Sequence, residues 1–185
     1  MPQQPHDQAS LDDTARELLG SLPERWGRMD LMSRTALVEV GLALRAHKML
    51  EEDSCALEAG WTGGLIVGSE KGSLAIDKEY AKTLKDGPGM ASPHLFGYTL
   101  PNIPLAEAAI QYGLTGPVYS VFVDDPGSGG EAEARRWLDC DDSLDFMVVG
   151  ELDVYPVSLH NNSGKGQQAF NQIKEIVSVN FRIVS

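Results

Sequence analysis

The sequence predicts an α/β layered domain, and three observations predict it. Helical and strand-like patterns alternate with short turns along most of the chain. Gly64-Leu65-Ile66-Val67-Gly68 is a continuous apolar run between glycines, the pattern of a strand buried on both faces. Near the C-terminus, Val177, Val179, Phe181 and Ile183 alternate with Ser178, Asn180 and Arg182, the period of a strand with one wet face, antiparallel or at an edge.

The elements follow in order. Ser10 is placed to cap a short helix over Leu11–Leu19 that stops at Gly20. A longer helix is expected from Leu31 to Leu50; its middle, Ala36–Leu44, is apolar nearly all round and therefore buried on most sides, and Glu51-Glu52-Asp53 returns the chain to water. The buried run at Gly64–Gly68 comes next, then a helix over Lys78–Leu84 broken by Asp86-Gly87-Pro88-Gly89. Asn102 and Pro104 suit a helix start, Leu105–Tyr112 its body and Gly113 its end. Val118–Val123 and Phe146–Val149 read as two more strands. The expected organisation is a polar tail and short helix over 1–22, an α/β body over 23–160, and a C-terminal helix and edge strand over 161–185, together one domain.

Composition excludes several functions. Fifteen basic residues against 27 acidic ones give a net charge of −12, unsuited to neutralising nucleic-acid or lipid phosphates. Residues 121–160 hold ten acids and two bases, so that stretch alone contributes −8, and its plain reading is a solvated face. No apolar run approaches the ~20 residues of a membrane span, and the polar N-terminus has no signal or transit pattern. Cys55 and Cys140 are the only cysteines, too few for a disulfide framework or a thiolate metal site, which points to the reducing cytoplasm.

The short motifs are equally plain. Gly68-Ser69-Glu70-Lys71-Gly72 follows a strand but lacks phosphate-loop spacing, and Glu70 would repel phosphate; an ordinary glycine turn is expected. Ser163-Gly164-Lys165-Gly166 reads as a loop, and Asn161-Asn162-Ser163 carries no meaning without a secretory signal. His6, His47, His94 and His160 have no ligand spacing, so neither a metal nor a cofactor is expected. Ser128-Gly129-Gly130-Glu131 reads as a capping box rather than as a nucleophile elbow.

Five segments in order give a more specific signal: RMDLMSRTALVEVGLALR (Arg28–Arg45), GLIVGSEKGSL (Gly64–Leu74), SPHLFGYTLPN (Ser92–Asn102), YGLTGPVYSV (Tyr112–Val121) and DFMVVGELD (Asp145–Asp153). Together they resemble the N-terminal half of the β-ketoacyl synthases of the thiolase-like superfamily. The resemblance implies a thiolase-like half fold, a mixed sheet with helices packed on it. It also implies a nucleophilic cysteine at the N-terminus of a buried helix, where the helix dipole and free N–H groups favour thiolate and oxyanion. Counted from Gly113-Leu114-Thr115-Gly116-Pro117, that position is Asp125, between Asp124 and Pro126, and Cys140 lies beyond the next helix. The histidines of the family's second half have no counterpart here. The helix after Asp125 reads Glu131-Ala132-Glu133-Ala134-Arg135-Arg136-Trp137-Leu138-Asp139; five charges against one stripe of Ala134, Trp137 and Leu138 describe a surface helix.

A non-catalytic ketosynthase-like protein is therefore expected, an accessory or partner subunit in bacterial fatty-acid or polyketide-type biosynthesis. Two readings stand beside it: an acyl-thioester enzyme using Asp125 as base or nucleophile, and a pure interaction or dimerisation module. The implied partners are a second copy, paired through Tyr119–Val123 as the family's dimers pair, or a full-length ketosynthase-type protein. An acidic carrier protein is disfavoured at the former active site by the surrounding acids.

Overall fold

A computed structural model describes residues 8–51, 56–85, 87–158 and 173–185. Four strands form one mixed sheet in the order β2-β1-β3-β4: β1 (Gly63–Ser69), β2 (Val118–Phe122), β3 (Phe146–Ser158) and β4 (Ile173–Val184). β1 is central, parallel to β2 on one side and to β3 on the other, and all seven of its residues are buried. β4 runs antiparallel to β3 at the sheet's far edge, with Val148 opposite Ile183 and Gly150 opposite Phe181. A mixed sheet with helices packed on it is the expected architecture, and here helices cover both faces.

Among the described residues six α-helices accompany the sheet: α1 (Gln8–Leu19), α2 (Leu31–Ala46), α3 (Leu74–Thr83), α4 (Pro93–Tyr98), α5 (Ile103–Tyr112) and α6 (Pro126–Cys140). α1, α2 and α5 share the larger core with one sheet face, where Leu11, Leu37, Leu44, Leu65, Leu105 and Phe146 are fully buried or nearly so. Each such leucine contributes about 1.5–3 kcal/mol of burial relative to exposure. Tyr112 is enclosed as well, its hydroxyl donating to the Leu37 carbonyl at 2.8 Å and pinning α5 to α2. Among the described residues, the opposite sheet face packs against α6 and Leu144, with Ile66, Met147 and Val149 of the sheet buried together with Ala134.

Several boundaries differ from those read in the sequence. α1 starts at Gln8, because Gln8 and Ala9 tolerate helix well, so Ser10 lies inside it and accepts from Thr14 Oγ1 through its carbonyl instead of capping. α2 stops at Ala46 rather than Leu50. Lys48 takes a φ of 55°, the chain turns, Met49 is buried, and Leu50 bridges to Leu57. α3 opens four residues early, at Leu74, and α4 is a helix with no counterpart among the expected elements. It is one and a half turns long, started by Ser92, whose hydroxyl accepts from Leu95 N, and by Pro93 at its first position. α5 ends at Gly113 with φ 75°, the left-handed turn that favours glycine. β3 runs nine residues beyond Val149 because β4 pairs along its whole length. Glu52, Asp53 and Asp86, and the helix expected after residue 160, lie outside the described residues. No helix among the described residues is long and apolar enough to cross a membrane.

Candidate functional site

The turn from β2 into α6 is where the sequence places the degenerate nucleophile. Val123 closes the parallel ladder by donating to the Ser69 carbonyl, and the chain then turns through Asp124 and Asp125 into Pro126. Proline suits the first helical position, where no N–H is required, and Asp125 is the N-cap. Its carboxylate accepts from Ser128 N at 3.4 Å and from the Ser128 hydroxyl. The expected capping box from Ser128 to Glu131 is therefore not formed. The helix opens two residues before Ser128, so Ser128 serves as a donor to the true cap, and Glu131 pairs instead with Arg135 and Arg182.

The sheet seats this helix closely. A Cβ on Gly68 would lie 1.9 Å from the Pro126 carbonyl oxygen, so only glycine lets β1 pass under the first turn. Gly130 and Ala134 are the helix's buried residues, and its other face meets solvent within this chain. There Glu131 bridges to Arg135 at 2.7 Å and Glu133 to Arg136 at 2.5 Å, while Trp137 Nε1 donates to the Tyr119 hydroxyl at 2.6 Å and that hydroxyl donates to Glu133. The five charges expected on this helix thus lie on a wet face, four of them in ion pairs. Cys140 is the last residue of α6 and exposed. At 1.5 Å per residue it stands roughly 20 Å from Asp125, too far to act there.

Electrostatically, Asp125 behaves as a cap. Its carboxyl is held below the ordinary carboxylate range by the Ser128 side-chain and backbone hydrogen bonds. Such a group is ionised through the neutral range and is a poor proton acceptor for Ser128, which already donates to it. Glu151 adds a second carboxylate near Gly127, so the mouth of the turn is anionic. Tyr119 has its phenol pushed up, chiefly by desolvation and then by the bond to Glu133, so it stays protonated.

Under the neighbouring turn lies a group that the sequence reading did not single out. Asp153, fully buried on β3, accepts from Ser69 Oγ at 2.7 Å, Lys71 N at 2.8 Å and Glu70 N at 2.9 Å. Ser69 Oγ in turn accepts from Gly72 N at 2.7 Å. The loop Gly68–Gly72 is thus an anion-binding turn already filled by the protein's own carboxylate. Its signal was an aspartate between the apolar residues Leu152 and Val154 of a strand, which requires donors from somewhere in the fold once buried.

The other marked residues stay apart. His47 sits at the end of α2 against the Ala43 carbonyl, and His94 packs edge-on to Tyr98 in α4. Among the described residues, no three of His, Cys, Asp and Glu group as metal ligands. His6, Cys55, His160, Asn161-Asn162-Ser163 and Gly164-Lys165-Gly166 lie outside the described residues.

No family model matches the chain, and no curated protein is similar to it. Solved structures are. The ishigamide ketosynthase/chain length factor superposes with a TM-score of 0.59 at 21% identity, over 75% of this chain and 37% of that one. The ketosynthase ApeO in complex with its chain length factor ApeC, from Xenorhabdus doucetiae, superposes with a TM-score of 0.52 at 15% identity, over 83% and 68%. This chain therefore spans well under half the length of the first of these, and its fold is the ketosynthase type.

Proposed function

Starting from a ketosynthase-type half fold, we propose that this chain is a non-catalytic subunit of a polyketide- or fatty-acid-type synthase, working in a reducing cytosol. One observation carries the proposal. Where the resemblance demands a thiolate, the chain has Asp125, exposed, capping α6 and held ionised by Ser128. A carboxylate so stabilised is neither a matched base nor an activated nucleophile, which weighs against the alternative enzyme reading. The exposed, ion-paired face of α6 supports a helix on which no second sheet is stacked among the described residues.

Its partner is a ketosynthase-type protein or a second copy. Both structural neighbours are named as ketosynthase with chain length factor, which supports pairing with a ketosynthase-type chain. The carboxylates of Asp124, Asp125 and Glu151 at the turn disfavour docking of an acidic carrier protein there. The test is a condensation assay with acyl- and malonyl-carrier substrates, run with this chain alone and with a ketosynthase-type protein from the same host. Activity only in the mixture, above that of the ketosynthase by itself, supports an accessory role. Product formed by this chain alone refutes it.

A further inference from the structure

β2 is an edge strand, and its open side is not bare. Leu65 N donates to the Pro117 carbonyl at 2.8 Å and Val123 N to the Ser69 carbonyl at 3.2 Å. Bonds in a parallel ladder recur at every second residue, so Tyr119 and Val121 face β1, while Val118, Ser120 and Phe122 direct their N–H and C=O groups outward. Ser120 is the centre of this five-residue strand. Its outward N–H donates to Asn102 Oδ1 at 2.9 Å, and its hydroxyl donates to the same oxygen at 2.8 Å. Asn102 stands at the N-cap position of α5 yet makes no side-chain cap bond to its own helix. An asparagine in that position ordinarily accepts from the helix's first turn. Here it has left that role for the edge of the sheet.

We infer that Asn102 is a latch on the β2 edge, and that pairing of β2 with β2 of a second copy requires its release. This rests on the reading of β2 as the pairing edge. An antiparallel pair centred on Ser120 has each Ser120 N–H donating to the Ser120 carbonyl of the other copy, so the donor that Asn102 holds is the one the two-fold needs first. The strand is suited to a second copy. Gly116–Val123 carries no charged residue, so pairing brings no like charges together at the strand in a chain of net charge −12. The groove beside it is apolar, lined by Ala106, Ala109, Ile110, Leu114 and Val118 as well as Asn102, and Ile110 is 75% exposed. Closing off edge donors is a known way to stop strands from pairing indiscriminately.

The latch is tested on the whole chain by hydrogen exchange and sedimentation. In Asn102→Ala the Ser120 amide loses protection at low protein concentration, and self-association tightens about five-fold, the equivalent of one net hydrogen bond. Asn102→Asp keeps an acceptor and associates no more tightly than the parent. Should Asn102→Ala fail to fold, Asn102→Thr serves, since it can cap α5 but is too short to reach Ser120. Unchanged Ser120 protection, or association that is unchanged or weaker without the carboxamide, overturns the latch. Failure of the accessory role is seen separately, in the condensation assay, where a latch-free variant still gives no stimulation.

Discussion

Asp30 and Asp125 occupy the same local frame in two different surroundings. Each caps a helix, and each accepts from the serine three residues on: Ser33 N at 2.9 Å for Asp30 and Ser128 N at 3.4 Å for Asp125. Their carboxyls nevertheless move in opposite directions. Burial against the α2 start pushes Asp30 up, and this outweighs its bonds to Ser33 and the nearby Arg34. Asp125, open to water, is pulled down by Ser128. A capping motif therefore fixes geometry, while burial fixes the sign of the electrostatics. At the position where a ketosynthase resemblance requires a tuned nucleophile, this chain has the plain surface version.

Asp153 carries the comparison to its limit, and the largest effect is expected there. Asp153→Ala leaves the Ser69 hydroxyl and the Glu70 and Lys71 amides without their acceptor under the sheet. At about 1–3 kcal/mol for each buried group left unmade, a loss of about 3 kcal/mol or more is expected in urea denaturation. A variant within 1 kcal/mol of the parent, on the same scale, means that water satisfies those donors and that the clasp is not structural.

Gly68→Ala comes next, since it disturbs the exposed turn through its seat and not through its charge. With the added carbon 1.9 Å from the Pro126 carbonyl, the first turn of α6 must lift, at about 1–3 kcal/mol. Near-UV circular dichroism of Trp137 reports that movement. An unchanged spectrum with parental stability contradicts the close seating of Asp125.

Smaller, and decisive in sign, is the pair Asp30→Asn and Asp125→Asn. Asparagine keeps a capping oxygen at both sites, so only charge changes. A carboxyl whose folded pKa is raised makes the native state less stable as pH climbs from its unfolded value near 3.9 through the folded one; one whose pKa is lowered adds stability over its own window, which is lost as pH falls through the folded pKa. Asp30→Asn should therefore gain on the parent as pH rises from 3 to 7. Asp125→Asn should fall behind over the lower part of that range. Melting curves of the three proteins across this range decide it, and two variants shifting the same way would show that burial does not separate the caps.

These contrasts also mark what the sequence could disclose. The glycine-bounded run of β1, the apolar girth of α2, the Gly113 stop and the alternation of β4 were legible because each is written in neighbouring residues. α4 is not legible in the sequence, because six residues give periodicity too little length to register. The capping of α6 was displaced because Asp125-Pro126 and Ser128 each carry a start signal, and only the seat on Gly68 chooses between them. Asp153, Arg182 and Asn102 act on partners 18 to 84 positions away, and no local pattern encodes such a pairing. The resemblance marks Asp125 in the sequence, but the electrostatic character of that carboxylate depends on Ser128 and on its exposure, which only the fold supplies.

The smallest expected effect on function comes from placing a thiol at residue 125. Asp125→Cys sets a thiol at the N-terminal end of α6, while Cys140 already stands at the C-terminal end of the same helix, exposed. The helix dipole favours thiolate at the first and disfavours it at the second, so the new thiol should be alkylated by iodoacetamide faster than Cys140. Faster alkylation is not condensation. His47 and His94 are engaged on α2 and α4, and neither is held by the turn that carries residue 125. A reactive thiol that forms no product from acyl- and malonyl-carrier substrates would show that a thiol at this turn is not sufficient for condensation, whereas product from this single change would show that the rest of the chain supplies everything else that condensation needs.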